Sequence, residues 1–514
     1  MENNEHSRKE TSDVSSDHTL GRYFENTTPT VFDEIVSSHR VDHSSTSVIN
    51  DPISNRALDL DLTSKFLKND HMLEIERPSD LTVPDYHRDA WIPSESTRKI
   101  LLSIATSPPG TSLPNRENHT MPGLTLQGDI LDATKEASIH FYGEEEHMHR
   151  NILTASDVTQ DERGLRNLIQ AECYRAAVNL SGRLLAIYGQ GFGKIDHPSK
   201  HTPHSLQLWY TRLALLTKLK QIDVLKTEAQ AFGNLDKPDM YFSFHPELYG
   251  TRHGSMASFS FRLLLAEIPS FCGNPRESLD NLYALLSTVN QILRNLEEGL
   301  SEEGGTSNCS AIERQDSMTL WSRRKSKILI SIVNCALLGK NFVLAIEVLE
   351  DICKCPDWQN EQLEAFKLAL ARLHLFLGDI PAPEGKLVTK EAPVHTPTTK
   401  EWINRGLMAV TQNAFQEAYD CFQTALNADP ANVMIVNNMA VCLLYTGKLR
   451  AAVQLLENAV TKNPIKNLQE SIILNMSTLY ELHTTHCRQS KLQLLKQMNR
   501  YKGDAIDIQC LKLV

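Results

Sequence analysis

One stretch of this 514-residue sequence has a composition that could bind phosphate: "YGQGFGKI", residues 188–195. A glycine-rich loop binds phosphate when its backbone N–H groups converge and a lysine and a hydroxyl follow at fixed places. Here the place of the first glycine is taken by Tyr188, and the residue after Lys194 is Ile195 rather than Ser or Thr. The preceding "SGRLLAIY" is typical of a helix end, not of the strand that a dinucleotide-binding fold requires. We therefore predict a helix stop followed by a loop.

Potential metal ligands occur in three places. They are Cys353 with Cys355, the trio His483, His486 and Cys487, and the stretch "EEEHMHR" at residues 144–150. A structural zinc site needs two ligand pairs at regular spacing, and neither cysteine cluster has a second pair nearby. The third stretch is typical of an exposed polar loop. Since the sequence also lacks an H-E-x-x-H helix and a G-x-S-x-G turn, we predict no catalytic residue, no metal and no cofactor.

Charge and hydropathy limit the expected partners. The formal charge is −11, and no long lysine or arginine tract could neutralise a row of phosphates, so nucleic acid is not expected to bind. The first residues lack the apolar core of a secretory signal, which favours a cytosolic protein. The longest uncharged apolar run, residues 328–339, is shorter than the roughly 20 residues that a membrane-spanning helix needs. Membrane association would then depend on a partner.

Residues 1–150 differ in composition from the rest of the chain. They are rich in Ser, Thr, Asp, Asn and His, and such a segment buries too little apolar surface to offset its ordering entropy. We predict a mostly disordered region with two short helices, at 95–105 and at 130–141, where apolar residues recur at helical spacing. These helices either form transiently or fold on a partner.

Beyond residue 150 the pattern is helical. Thr159 and Glu162 stand three residues apart before an apolar run, the arrangement of a capping box at the start of a helix. No run of alternating polar and apolar residues predicts a strand. The predicted fold class is therefore all-α, with a core that stacked helices must build.

Two stretches near the carboxyl end repeat one pattern, and their final prolines, Pro430 and Pro464, are 464 − 430 = 34 residues apart. This is the period of the tetratricopeptide repeat (TPR), a pair of antiparallel helices that cross closely through small residues. We predict that Gly406 and Ala418 face each other at such a crossing. The signature positions are Trp402, Gly406, Phe415, Ala418, Phe422, Ala425 and Pro430 in the first copy, and Val436, Ala440, Leu449, Ala452, Leu456, Ala459 and Pro464 in the second.

A single helix pair cannot bury its apolar face, so three or more stacked pairs are needed. Weaker copies precede the two strong ones, in register with Ala345, Ser278 and Trp209, and a third carboxyl-terminal pair ends in a helix over 490–501. The predicted architecture is a TPR α-solenoid. We divide the chain into four parts: a mostly disordered region (1–150), degenerate TPR-like helical repeats (151–380), a proline-rich break (381–399), and TPR repeats with a carboxyl-terminal capping helix (400–514).

The inner face of the carboxyl-terminal repeats is predicted to be an apolar groove. Its residues are Ile403, Leu407, Val410, Val441 and Leu444. Such a groove suits an amphipathic helix, and either a partner helix or the chain's own terminal helix would fill it, because a large apolar surface is not left open to water.

A chaperone cofactor that clamps an acidic peptide terminus is a further class of TPR protein. Known carboxylate clamps of this class resemble one another in placing lysine, arginine and asparagine at five positions of the groove. In this chain those positions hold Ile403, Leu407, Asn438, Leu468 and Ile472. Only the asparagine matches, so this reading is disfavoured.

Several phrases lie outside the generic repeat pattern. "GLRNLIQAECYRAAVNLSGRLLAIYGQGFGK", "FGNLDKPDMYFSFHPELYGTRHGSM", "NNMAVCLLYTGKLR" and "IQCLKLV" resemble the family of trafficking protein particle complex (TRAPP) subunit 12, over residues 153–514. The resemblance implies a scaffold without chemistry of its own in the TRAPP III complex, which tethers vesicles and activates a Rab GTPase in transport from endoplasmic reticulum to Golgi and in autophagy. It implies other TRAPP subunits as partners and a location, through the complex, at the intermediate compartment and Golgi. The alternative it implies is a nuclear role in kinetochore assembly during mitosis.

Overall fold

A computed structural model describes residues 85–107, 115–143, 150, 152–306, 310–354, 358, 360–379 and 398–513. Within these ranges the chain is all-α: the regular elements are helices, and extended backbone pairs only at three isolated bridges. The predicted fold class is confirmed. Residues 1–84 and the stretch "EEEHMH" lie outside the described residues, as does nearly all of the proline-rich break.

Part of the segment expected to be disordered belongs to the helical body. Helices α1 (Tyr86–Asp89), α2 (Glu95–Thr106) and α3 (Ala133–Tyr142) form within it. Trp91 is buried. Its ring centroid lies 6.4 Å from that of Trp321 and 4.3 Å from the guanidinium carbon of Arg262. Composition did not reveal this, because the partners of these few apolar residues lie far along the chain. We call the described residues 85–107 and 115–143 the amino-terminal arm.

The first block of the array contains four helix pairs. Between the second and third pairs lies α8 (Pro246–Tyr249). The pairs are α4 (Glu162–Gln170) with α5 (Tyr174–Ile187), α6 (Pro203–Lys218) with α7 (Ile222–Gln230), α9 (Phe259–Phe271) with α10 (Pro275–Glu297), and α11 (Ala311–Leu338) with α12 (Phe342–Lys354). The start of α4 differs from the sequence prediction. The capping side chain is Asp161, which accepts from the Gly164 N–H at 2.8 Å, while Thr159 donates to that carboxylate at 2.6 Å.

The second block begins with the helix before the proline-rich break and continues the stack past it. Arg372 of the helix before the break donates to Asn404 of the helix after it at 3.4 Å, so the two helices pack directly. The elements are α13 (Asn360–Phe376), α14 (Thr399–Thr411), α15 (Phe415–Ala428), α16 (Val433–Tyr445), α17 (Leu449–Lys462), α18 (Pro464–Asn467), α19 (Glu470–His483) and α20 (Cys487–Tyr501). In α20, Leu495 and Met498 are buried and Leu492 is half-buried, so this helix covers the core beneath α19.

One turn recurs along the array from α4 to α17. The residue after it donates its N–H to the carbonyl five positions earlier at 2.8 to 3.0 Å, the bond of a Schellman motif, which needs a left-handed residue. The left-handed residues are Glu172, Lys220, Gly273, Lys340, Gly378, Asn413 and Gly447. Successive members of this set are 48, 53, 67, 38, 35 and 34 residues apart, so the early repeats keep the turn while their helices and connections differ in length.

The two ends of the array are in contact. Asp504 accepts from the backbone N–H groups of Arg175 and Ala176, each at 3.0 Å, and so caps the start of α5. The Arg150 guanidinium donates to the carbonyls of Asn499 at 3.1 Å and Gly503 at 3.2 Å. Helix α3 of the arm also packs against α20. Burial raises the pKa of the Asp504 carboxyl to about 6, because water no longer solvates its charge.

Candidate functional site

The signature residues of the two strong repeats separate into buried and partly exposed groups. The small and large residues at the helix crossings are buried in both copies: Gly406, Ala418, Phe422 and Ala425, then Val436, Ala440, Ala452 and Leu456. The flanking positions are half-buried at Trp402, Phe415, Leu449, Ala459 and Pro464, and Pro430 is exposed. This is the distribution expected where small residues lie at the crossings of stacked helices.

Helices α14 and α15 approach each other closely at Gly406. A Cβ atom on Gly406 would lie 2.6 Å from Cε1 and 2.8 Å from Cζ of Phe422. Gly406 was predicted to face Ala418, and the atoms nearest to a Cβ on Gly406 belong to the Phe422 ring. Glycine is therefore required here by the space that the ring fills.

Aromatic contacts connect the turn edges of neighbouring pairs. Phe415 stacks on Tyr445 with ring centroids 4.6 Å apart, and Phe342 meets Phe376 at 5.7 Å. The two contacts are equivalent in the repeat. In each, one ring lies two residues after a left-handed turn residue, and the other lies two residues before the next such residue. Consecutive pairs are thus fixed to one another at this edge.

The predicted groove is not an open surface. Ile403, Val410 and Val441 are buried, and Leu407 and Leu444 are half-buried. Leu407 packs against a small cluster on α13, formed by Ala371 and Leu375. The preceding helix of the array therefore covers this part of the face, whereas α20, which we considered as the occupant, packs on α19 and α3. Sequence position alone could not show how closely α13 packs against α14.

Buried ionisable groups of the first block bind the amino-terminal arm. Asp239 accepts from the Thr120 side chain at 3.0 Å, and His201 contacts the Thr120 carbonyl at 2.8 Å. Burial lowers the pKa of His201 below its usual value, which favours its neutral form. Glu228 accepts from the Arg212 guanidinium at 2.7 and 2.9 Å. The same Glu228 carboxylate also accepts from the Thr125 N–H at 3.1 Å. These groups hold the arm in place, and no sequence motif singled them out.

The remaining chemistry-bearing residues are dispersed. Burial raises the pKa values of the Cys173 and Cys442 thiols to about 12, which keeps both protonated and unreactive. His483 and His486 are exposed beside half-buried Cys487, and Cys355 lies outside the described residues. Across the described ranges, no group of three or more His, Cys, Asp or Glu side chains is arranged to hold a metal ion.

Residues 188–195 form the predicted helix stop and loop. Helix α5 ends at Ile187, and both Gly189 and Gly193 have positive φ. Among the described helices, none combines the length and apolarity that crossing a bilayer requires.

Comparison with known proteins gives two close relatives. The chain is 42% identical over 434 residues to trafficking protein particle complex subunit 12 of Mus musculus, covering 84% of this chain and 54% of the relative. It is 40% identical over 434 residues to the same subunit of Homo sapiens, covering 84% of this chain and 59% of the relative. The chain thus spans a little over half the length of these relatives. No family model matches it.

A chain in the crystal structure of the APC/C hetero-tetramer Cut9-Hcn1 can be aligned with the present chain. The alignment covers 70% of the present chain and 75% of the Cut9-Hcn1 chain. The identity is 11% and the TM-score 0.22, and we base no argument on it. The sequence identity to the two relatives is decisive. Over the matched residues, this chain is homologous to trafficking protein particle complex subunit 12.

Proposed function

We propose that this chain is a non-catalytic scaffold subunit of a TRAPP complex, TRAPP III, and that it acts through protein contacts of its helical array. In that role it supports vesicle transport from the endoplasmic reticulum to the Golgi and autophagy. Its direct partners are other TRAPP subunits, and it meets a Rab GTPase and transport vesicles only through them. It resides in the cytoplasm, at the intermediate compartment and Golgi, by way of the complex.

The observation that carries the proposal is the identity of 40 to 42% over 434 residues to two proteins named trafficking protein particle complex subunit 12. The geometry agrees with a structural role. The buried ionisable groups described above, such as Asp239, Glu228 and Asp504, accept hydrogen bonds from the chain's own backbone and side chains. A reacting group would instead be directed at a substrate.

The competing class of TPR protein, the acidic-peptide clamp, gains no support from the described repeats. The single matching clamp residue, Asn438, is buried, as are Leu468 and Ile472 at two of the remaining positions. A clamp needs exposed cations at those places to bind a carboxylate.

Affinity purification of the full chain from its own cells tests the proposal. We expect TRAPP subunits to co-purify in stable ratio and to elute with the chain as one large assembly in gel filtration. Elution as a monomer without any TRAPP subunit contradicts the proposal. Location at kinetochores of mitotic cells in the absence of those subunits would support the mitotic adaptor instead.

A further inference from the structure

The connection between α5 and α6 is an insertion into the repeat. The first two turns of the array, at Glu172 and Lys220, lie 48 residues apart, which exceeds the 34 of the last interval by 14. Most of that difference is the α5–α6 loop, residues 188–202, which takes the place of the four-residue connection 429–432, and the rest is the greater length of α6. Insertions into repeat arrays lie in loops on one face, often the face that binds partners.

The α5–α6 loop is fixed from within the fold. Gln190 is fully buried, accepts from the Trp209 indole N–H at 2.7 Å and donates to Ser199 at 3.1 Å. These bonds join the beginning of the loop to its end and to the core of α6. The side chains that the loop exposes therefore stand on a preorganised base.

The amino-terminal arm fixes the outer part of the same loop. The Leu124 N–H donates to the Gly191 carbonyl and the Asp196 N–H donates to the Met121 carbonyl, each at 3.2 Å. Gly123 lies so close that a Cβ atom on it would be 2.4 Å from the Ile195 nitrogen. Binding through this loop requires little further ordering, which favours affinity.

Four large apolar side chains of this region point into solvent. Ile187, at the end of α5, is 77% exposed and Phe192 is 51% exposed, and both Tyr188 and Ile195 are exposed. We call these four residues the α5 patch. A set of exposed apolar side chains within nine residues, held by a rigid backbone, marks a surface that another molecule covers.

The α5 patch is bordered by charges of both signs. Lys194, Lys200 and Arg116 are exposed, as are the acids Glu117 and Asp196. Burial and the charge of the half-buried Glu162 together raise the pKa of the Tyr188 hydroxyl. Within the described residues neither lysine takes part in an ion pair. Docking on anionic lipid depends on clusters of about four to eight basic residues, more than this surface carries. The combination of a rigid apolar centre and a few cations at its margin fits a protein partner with complementary acids.

We propose that the α5 patch docks an amphipathic helix of another subunit, with its aliphatic or aromatic face on Ile187 and Phe192 and its Asp or Glu side chains near Lys194 and Lys200. This inference rests on the proposed function, since it takes the partner from the same assembly. It names the surface of the chain through which that assembly forms.

The test uses the full chain and the remaining TRAPP subunits from the same source, co-expressed without this chain and purified. Binding is measured by biolayer interferometry for the wild type, for the double variant Ile187→Ser with Phe192→Ser, and for Ile312→Ser. The control is matched, because Ile312 is an isoleucine at the start of α11 with 76% exposure. We expect the double variant to weaken binding roughly tenfold or more and the control to leave it unchanged. Circular dichroism and the urea midpoint check that each variant is folded.

The contribution of Lys194 and Lys200 is tested separately, through the association rate. Lys194→Glu with Lys200→Glu is expected to lower the association rate at low salt by roughly threefold to tenfold, an effect that added salt removes. Equal binding by the wild type and the double serine variant rejects the docking surface while leaving the proposed function standing. Absence of wild-type binding rejects the proposed function and the docking role together. A wild-type dimer that the serine variant converts to monomers, or phosphatidylserine vesicles that retain the wild type alone, also rejects the proposal.

Discussion

The contact between Gly406 and Phe422 allows a prediction with an internal check. In Gly406→Ala the new Cβ would lie 2.6 Å from Cε1 of the ring, whereas carbon atoms in ordinary contact are about 3.5 to 4.0 Å apart. The ring must therefore shift by roughly 1 Å, although Phe422 is fully buried among neighbours such as Ala425 and Met439. Overfilling a core costs about 1 to 3 kcal/mol. Alanine returns about 1 kcal/mol of helix propensity in α14, so we expect a net destabilisation of about 1 kcal/mol.

A double-mutant cycle separates these two contributions. Phe422→Leu removes the ring carbons that crowd Gly406, so in that background Gly406→Ala loses its steric cost and keeps its gain in helix propensity. We expect its effect to change sign, to a stabilisation of up to about 1 kcal/mol. Free energies of unfolding for the wild type, both single variants and the double variant come from urea titrations followed by circular dichroism.

Two results would refute this reasoning. One is a more stable Gly406→Ala protein while Phe422 is present. The other is an equal loss of stability in both backgrounds, which would mean that the ring contact does not determine the need for glycine.

Three further predictions concern the crossings and the joined ends. Ala452→Leu, at a fully buried crossing, should lower the free energy of unfolding by about 1 to 3 kcal/mol, whereas the same change at its exposed neighbour Ala451 should stay within about 0.5 kcal/mol; urea titration compares them. Asp504→Ala leaves the N–H groups of Arg175 and Ala176 without their acceptor and should cost about 1 to 2 kcal/mol, with faster amide exchange at the start of α5. Because burial raises the folded pKa of Asp504 to about 6, above about 3.9 in the unfolded chain, the folded state takes up the proton first. The stability of the wild type relative to Asp504→Asn should therefore increase as the pH falls from 7 to 5, and an unchanged difference in unfolding free energy would contradict the assigned pKa.

The helical fold class could be predicted from the sequence because it depends on local periodicity. The 34-residue period and the small residues at 418 and 452 are visible without coordinates. The left-handed turns, in contrast, could be predicted only in part from the local sequence. Three of the seven left-handed turn residues are glycines, but Glu172, Lys220 and Lys340 give no compositional signal, because stacking of the flanking helices imposes their conformation.

The contacts that close the molecule could not be predicted, because they join residues far apart along the chain. Trp91 lies in a polar segment, and its burial depends on Trp321 and Arg262. Asp504 lies in an unremarkable carboxyl-terminal stretch, yet it caps α5. The groove prediction was limited in the same way, since the helix that covers Leu407 precedes the proline-rich break.

The cap on α5 has a consequence for biosynthesis. Asp504 and Ala176 are separated by 328 residues, and a ribosome adding about 5 to 20 residues per second needs roughly 15 to 65 s to synthesise the intervening chain. During translation the first helix pair must therefore remain without its final contact until nearly the whole array has been made. A nascent chain stalled before residue 504 would expose the start of α5 to chaperones and proteases.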